Sequence, residues 1–267
     1  MRVVSWNLHG ANVPGRASDE QQHRSWAHMR DLGADLILAQ EVSATGVPGW
    51  VTDEWTLLSG QYGQFRKNWN WGSVVAARLG LRLRPHLESL QDPWLAHLYD
   101  LVLVGQVVLP ESASTLVASV HTPAQPVRDW LREHPMPLSL ADDELIALQR
   151  PACRELPYIN DFAFTALDGI VKNGRFVVAG DWNTCRKYPG GPEFFVRAQA
   201  RGWAECHRGP EEQSFFGKGS GTYQLDHAFC DQATACSVNS CHIVVGDIVR
   251  ELSDHAPLVT DLVPTGQ

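Results

Sequence analysis

The sequence predicts an α/β protein built on two β-sheets, and three observations carry that prediction. Short β-branched and apolar runs, of which Phe176-Val177-Val178-Ala179 is the clearest, read as strands buried on both faces. Between such runs lie amphipathic stretches: Gln21 to Leu32 sets Trp26, Met29 and Leu32 at helical spacing among charged residues. Two strands in opposite halves also end alike, Val3-Val4-Ser5-Trp6-Asn7 and Val177-Val178 leading to Asp181-Trp182-Asn183, as a rough internal duplication into two sheets would produce.

At 267 residues and 44% hydrophobic, the chain can bury a large core and could form one big domain or two ordinary ones, and length alone does not choose. The formal net charge is −8 and the 22 Lys and Arg are scattered, so no polybasic tail or membrane-surface patch is advertised. That weakens a nucleic-acid reading without excluding it, because a metal in an acidic site can carry a phosphate contact locally. The start of the chain has no signal-peptide pattern and no segment is long enough to span a bilayer, so a cytoplasmic protein is expected. No obligate protein partner is readable. The six Cys form no C-x-x-C pair and read as free thiols; Cys230, Cys236 and Cys241 cluster in sequence but fit no common zinc template.

Taken in order, the strands share one trait: they end on polar residues. The first ends at Asn7, and Asp35 to Glu41 is a buried run closing on Gln40-Glu41. A carboxylate just past an apolar strand is costly to bury unless it is paired or holds a cation, so Glu41 is either an exposed strand end or a metal ligand. Arg66-Lys67-Asn68-Trp69-Asn70-Trp71 gathers cations, amides and indoles, which suits a ligand-facing loop or ordinary strand packing. Leu81 to Arg84 alternates as an exposed strand, Leu101 to Leu109 reads as a core strand, and Thr115 to Val120 as another that ends on His121. Pro126 to Pro157 is rich in Pro and charge, with a short helix expected at Ala141 to Gln149, and helices are expected over Pro157 to Asn173 and Glu193 to Gly202. Gly180 lets the backbone turn tightly, and residues two apart on an extended segment point the same way, so Asp181 and Asn183 project together. The bland alternative is an Asp-x-Asn turn closing a core strand. Gly221 to Phe229 is strand-like, with Asp226 in an apolar alternation where it needs a donor. Ile243 to Val245 and Ile248-Val249 read as strand, Ser253-Asp254-His255-Ala256-Pro257 as a turn, and Leu258 to Leu262 as the last strand; His255 can take its orienting hydrogen bond from Asp226.

Together these motifs resemble the endonuclease/exonuclease/phosphatase superfamily, the metal-dependent phosphoesterases that include deoxyribonuclease I, AP endonucleases, neutral sphingomyelinases and inositol polyphosphate 5-phosphatases. The carriers are S-W-N-L-H-G at Ser5 to Gly10, Q-E-V at Gln40 to Val42, G-S-V-V-A-A-R at Gly72 to Arg78, V-H-T-P at Val120 to Pro123, G-D-W-N at Gly180 to Asn183, L-D-H at Leu225 to His227 and S-D-H-A-P-L at Ser253 to Leu258. The resemblance, which runs from Val3 to Leu262, implies a single domain over 1–267 with an insertion or lid at about 126–157, folded as a four-layer α-β-β-α sandwich of two mixed β-sheets, deoxyribonuclease I-like, with one active site where both sheets end. It implies Glu41 as the principal Mg²⁺ ligand, with Asn7 and Asp254 helping to hold the metal or phosphate. Asp181 matches the residue that activates the attacking water, Asn183 the amide that steadies the phosphate, and His255 the catalytic histidine oriented by Asp226. His121 stands where AP endonucleases have Tyr, and Trp182 where the family usually has Phe.

The expected activity is divalent-metal-dependent hydrolysis of a phosphodiester or phosphomonoester by in-line attack of an activated water. The expected ligands are carboxylates and amides, hence Mg²⁺, with Mn²⁺ as the second choice. A nuclease acting on DNA or RNA is the first reading of substrate, with Asn7, Asn183, Asn70 and Arg66 as substrate contacts. The alternative is a phosphatase or phosphodiesterase acting on a small phosphorylated metabolite or lipid headgroup, and the second alternative a catalytically inactive binding protein on the same fold. Arg66, Lys67, Arg78 and Arg186 read either as local phosphate contacts or as solvated surface charges.

Overall fold

The computed structural model describes residues 1–10, 15–60, 70–108, 114–127, 129, 158–172, 174–217 and 222–263. Two six-stranded mixed sheets pack face to face with helices on their outer faces, the expected four-layer sandwich. One sheet runs in the order β11 (Val238–Ile243), β12 (Leu258–Leu262), β1 (Arg2–Asn7), β2 (Leu36–Ser43), β4 (Trp71–Arg78), β3 (Trp55–Ser59). The other runs β5 (Arg82–Pro85), β6 (Val102–Val108), β7 (Thr115–His121), β8 (Arg175–Asp181), β10 (Asp226–Cys230), β9 (Ala204–Glu205).

Each sheet holds one parallel pair at its centre, β1 with β2 and β7 with β8, flanked by antiparallel neighbours. Parallel strands need a crossover, and the helices Asp19–Asp31 and Ile159–Val171 provide it. The duplication therefore has a different correspondence from the one the strand ends suggest. Connectivity sets β1 against β7 and β2 against β8, so Asn7 answers to His121 and Glu41 to Asp181.

Local chemistry explains the elements. Ser18 accepts from Gln21 N–H while the Gln21 side chain returns to Ser18 N–H, a capping box that starts the first helix at Asp19, two residues before the expected Gln21. That helix buries Trp26 and Met29 on the first sheet. Along β8 the side chains alternate: Val177 and Ala179 join the core with Leu103, Val117 and Ala228, whereas Phe176 and Val178 pack with Phe162, Leu167, Phe194 and Trp203 beneath the helices Ile159–Val171 and Gly191–Ala200.

Three expectations shift. Ile248-Val249 lies in a helix, Asp247–Leu252, because Val249 and Leu252 bury as an i, i+3 pair that overrides the β-branched propensity. The strand expected at Ile243 to Val245 occupies Val238–Ile243, a polar stretch at a sheet edge where no apolar alternation is required. The strand expected from Gly221 begins only at Asp226. The helix expected at 141–149, most of the segment 126–157 and Arg66 fall outside the described residues; Pro126 bridges Tyr158, so the chain leaves and re-enters at adjoining points. Among the described residues no helix is long and apolar enough to cross a membrane.

Candidate active site where the central strands end

Strand register brings the polar ends together. His121 is the last residue of β7 and pairs with Asp181, the last of β8; Asp226, the first of β10, pairs with Asp181 from the other side. Gly180 makes this possible by staying in the strand rather than turning out of it. A Cβ there would lie 1.8 Å from the Val120 carbonyl oxygen, so only glycine lets β7 approach so closely. Across the sandwich, β1 ends at Asn7, and β2 carries Glu41 through a β-bulge between Ala39 and Val42, with Glu41 at φ 51°. The consecutive residues Gln40 and Glu41 both reach toward the second sheet, Gln40 to the Ser119 hydroxyl at 3.0 Å and Glu41 to His121 at 3.3 Å. A regular strand would send them to opposite faces; the bulge prevents it.

The resulting cluster is tight, and all of it but Asn183 is buried. Asn7 Nδ2 donates to Glu41 Oε1 and to Asp181 Oδ2, both at 3.1 Å. His121 Nε2 stands 3.3 Å from Glu41 Oε1 and 3.8 Å from Asp181 Oδ2. His255 Nδ1 meets Asp226 Oδ2 at 2.8 Å and turns Nε2 toward Asp181 Oδ2 at 3.6 Å. Asn183 donates its backbone N–H and its amide to the two Asp181 oxygens at 2.9 and 3.1 Å. Asp181 and Asn183 thus meet, but through the Asp-x-Asn turn that was the alternative reading, with Asn183 at φ 46° beyond the strand end, and not through strand alternation. Among the described residues, the non-glycine positions with positive φ are His9, Glu41 and Asn183, all at this site.

Burial sets the electrostatics. The Asp181 carboxyl is pushed up to about 6, chiefly by burial and further by Asp226, against the pull of His255 and His121. Burial alone would depress the His255 imidazolium, but Asp226, Asp181 and Asp254 overcome it and raise it to about 10. Asp226 Oδ1 is buried with no hydrogen-bond partner among the described residues. Three buried carboxylates, Glu41, Asp181 and Asp226, with one oxygen left over, form an oxygen-rich set that fits a hard divalent cation. Asp181, Asp226 and His255 also offer ligand atoms within 4.8 Å of one another.

The remaining predicted residues separate. Asp254 reaches the rim but pairs with His9 Nδ1 at 2.8 Å, which lowers its pKa against the effect of burial. As placed, Asn7 offers its Oδ1 to His9 N–H at 2.9 Å and its amide nitrogen to the carboxylates. Asn70 is exposed, and its carbonyl accepts from Ala44 N–H. Arg78 donates to the Ala34 carbonyl and lies over Trp55, and Arg186 pairs with Glu205 over the Phe195 ring, so both are spent on structure. Sequence reasoning missed His9, Phe215 and Ser214, and it offered Trp71 only as part of the Arg66 to Trp71 stretch. His9 sits in the quoted Ser5 to Gly10 motif, two residues from Asn7. Trp71 packs on His121 at 5.3 Å and Phe215 on His255 at 5.0 Å between ring centroids. Ser214 Oγ accepts from Leu225 and Asp226 N–H, and only the fold brings it there.

No protein-family model matches the chain, and no curated protein sequence matches it. Solved structures do. The endonuclease domain of TRAS1, a telomere-specific non-LTR retrotransposon, superposes with a TM-score of 0.62 at 13% identity, covering 98% of this chain and 97% of that one. AP endonuclease LMAP from Leishmania major gives 0.62 at 14% identity over 98% and 88% of the two chains. The 3′ phosphatase NExo from Neisseria, bound to product DNA hairpin, gives 0.60 at 15% identity over 98% and 99%. The chain has the deoxyribonuclease I-like fold.

Proposed function

We propose that this chain is a divalent-metal-dependent phosphoesterase that hydrolyses a phosphodiester or phosphomonoester by in-line attack of water, with nucleic acid as the first substrate class to test. One observation carries the reading: Asn7, Glu41, His121, Asp181 and the His255–Asp226 pair, drawn from both sheets, meet at one buried rim. The solved structures of the same fold are, by name, an endonuclease domain, an AP endonuclease and a 3′ phosphatase, which span both ester types. The net charge of −8 favours a small phosphoester as the second reading.

Glu41, with Asn7 and Asp254, would hold Mg²⁺ or Mn²⁺, and the cation when bound offsets charge on the non-bridging phosphate oxygens. Asp181, with a pKa near 6, is mostly ionised at neutral pH and can orient a water and accept its proton. Asn183 holds Asp181 in place and offers an amide to the phosphate. His255 is fixed by Asp226 at Nδ1, so its Nε2–H points at the rim as a donor to developing charge. His121 stands opposite, within reach of the same oxygens.

The test is hydrolysis of plasmid DNA, single-stranded DNA, RNA, an aryl phosphodiester and phosphorylated metabolites with Mg²⁺, with Mn²⁺ and with chelator, beside an Asp181→Ala protein. Metal-dependent turnover reduced by roughly 10²–10⁴-fold in the variant is expected. No turnover of any member with either metal would refute the reading for these substrate classes.

A further inference from the structure

We infer a phosphate-reading subsite beside the catalytic rim, in which Arg250 receives a second phosphate of the substrate; its link to turnover rests on the phosphoesterase reading above. A cleft of about 240 Å³ opens beside His9, Ser253 and Asp254, the residue before His255, and runs to Phe216 and Arg250. Its carboxylates are already engaged, Asp254 by His9 at 2.8 Å and Glu251 by Arg24 at 2.6 Å. Arg250 has no carboxylate partner among the described residues; its guanidinium lies over the Phe216 ring, 4.0 Å from the centroid. Stacking occupies a face of the guanidinium and leaves the N–H donors at its edge, the arrangement that suits phosphate oxygens. Phe216 N–H in turn donates to the Asp254 carbonyl at 2.7 Å, so the wall that carries Arg250 is tied to the catalytic loop.

Charge points to an anion. The rim concentrates buried carboxylates, and two of the cations that sequence reading offered for phosphate, Arg78 and Arg186, are consumed by structural contacts. Arg250 brings unspent positive charge to the cleft adjoining the site. The second phosphate could be the neighbouring one of a nucleotide chain or the second group of a bisphosphorylated small molecule; the chemistry recognised is the same.

Two matched pairs test this: a thymidine dinucleotide with and without a terminal phosphate, and a hexose monophosphate with its bisphosphate. Turnover is measured with Mg²⁺, and binding by calorimetry with chelator. Parent protein is expected to prefer the extra phosphate in at least one pair, and the pair that shows it identifies the source. Arg250→Gln is expected to shrink that preference by about tenfold, the worth of a charge-assisted hydrogen bond. Arg250→Lys is expected to retain part of it, and Arg201→Gln, which neither lines the cleft nor pairs with a residue that does, all of it. No preference in the parent, or a preference unchanged in Arg250→Gln, would overturn the subsite. Binding preference that depends on Arg250 without any turnover keeps the subsite and sinks the phosphoesterase reading, whereas turnover indifferent to Arg250 does the reverse.

Discussion

Replacing Gly180 with Ala is expected to destabilise the protein by several kcal/mol and to part the two strands that carry His121 and Asp181. The new Cβ would stand 1.8 Å from the oxygen and 2.7 Å from the carbon of the Val120 carbonyl, both backbone atoms of β7. Ordinary contact begins near 3.4 Å. The strands would therefore have to separate by roughly 1.5 Å at that rung, in a core where overpacking by a single carbon is already costly. The next rung is His121 against Asp181, so the separation passes directly into the site. Overpacking together with weakened ladder hydrogen bonds costs about 3–5 kcal/mol. For a chain of this size that lowers Tm by roughly 6–15 °C. Thermal unfolding followed by tryptophan fluorescence measures it, with Gly169→Ala as the control. Gly169 is exposed within the helix Ile159–Val171 and an added Cβ meets nothing within 4 Å, so that change is expected to stabilise by about 0.5–1 kcal/mol. A Gly180→Ala protein melting within 2 °C of the parent would refute the close-approach argument.

Three further outcomes follow from buried groups. Asp226→Asn removes the leading charge that raises His255, so its imidazole titration, read by NMR, is expected to move from about 10 toward the ordinary range near 6.5. Because the folded value is raised, His255 contributes stability that is full below about pH 6.5 and lost as pH rises toward 10; the variant's stability is expected to vary less across that window. Glu205 is held down to about 2 because His227 and Arg186 outweigh its burial, so its contribution is present above about pH 4.5 and lost as pH falls through 2. Glu205→Gln is therefore expected to weaken the protein at neutral pH and flatten its acid unfolding curve, as urea titrations at several pH values would report. Trp182→Phe leaves an aromatic ring in the cluster of Phe194, Trp203 and Phe229 and removes an indole N–H that lacks a partner among the described residues. The lost volume and the relieved donor offset each other, and a change within about 1 kcal/mol is expected on denaturant unfolding.

Most of this site was legible as residues and little of it as geometry. Strand ends such as Val120-His121 and Gly180-Asp181 announce themselves because a buried β-branched run that stops on a titratable side chain needs a reason. Asp226 was legible by the same cost argument, and the structure gives it His255 at 2.8 Å. His9 escaped notice because nothing local distinguishes a histidine in a turn from any other; its partner Asp254 is 245 positions away. Ser214 and Phe215 carry no signal of their own, since their contacts to Asp226 and His255 exist only after the chain has folded.

The sequence by itself determined the class of fold, most of the core strands, both crossover helices and the polar residues at several strand ends, because the patterning of apolar residues is a local property of a chain. Only the tertiary structure decided which of those residues share a site and which cations are free to serve it. Glu41 is the sharpest case. Its parity along β2 assigns it to the face opposite Gln40, and a single bulge at φ 51° turns it to the rim, a conformation stabilised by the surrounding contacts and not written in its neighbours. The arginines are the second. Arg78, Arg186 and Arg250 look alike in sequence, and partners distant along the chain, the Ala34 carbonyl, Glu205 and the Phe216 ring, give each a different task.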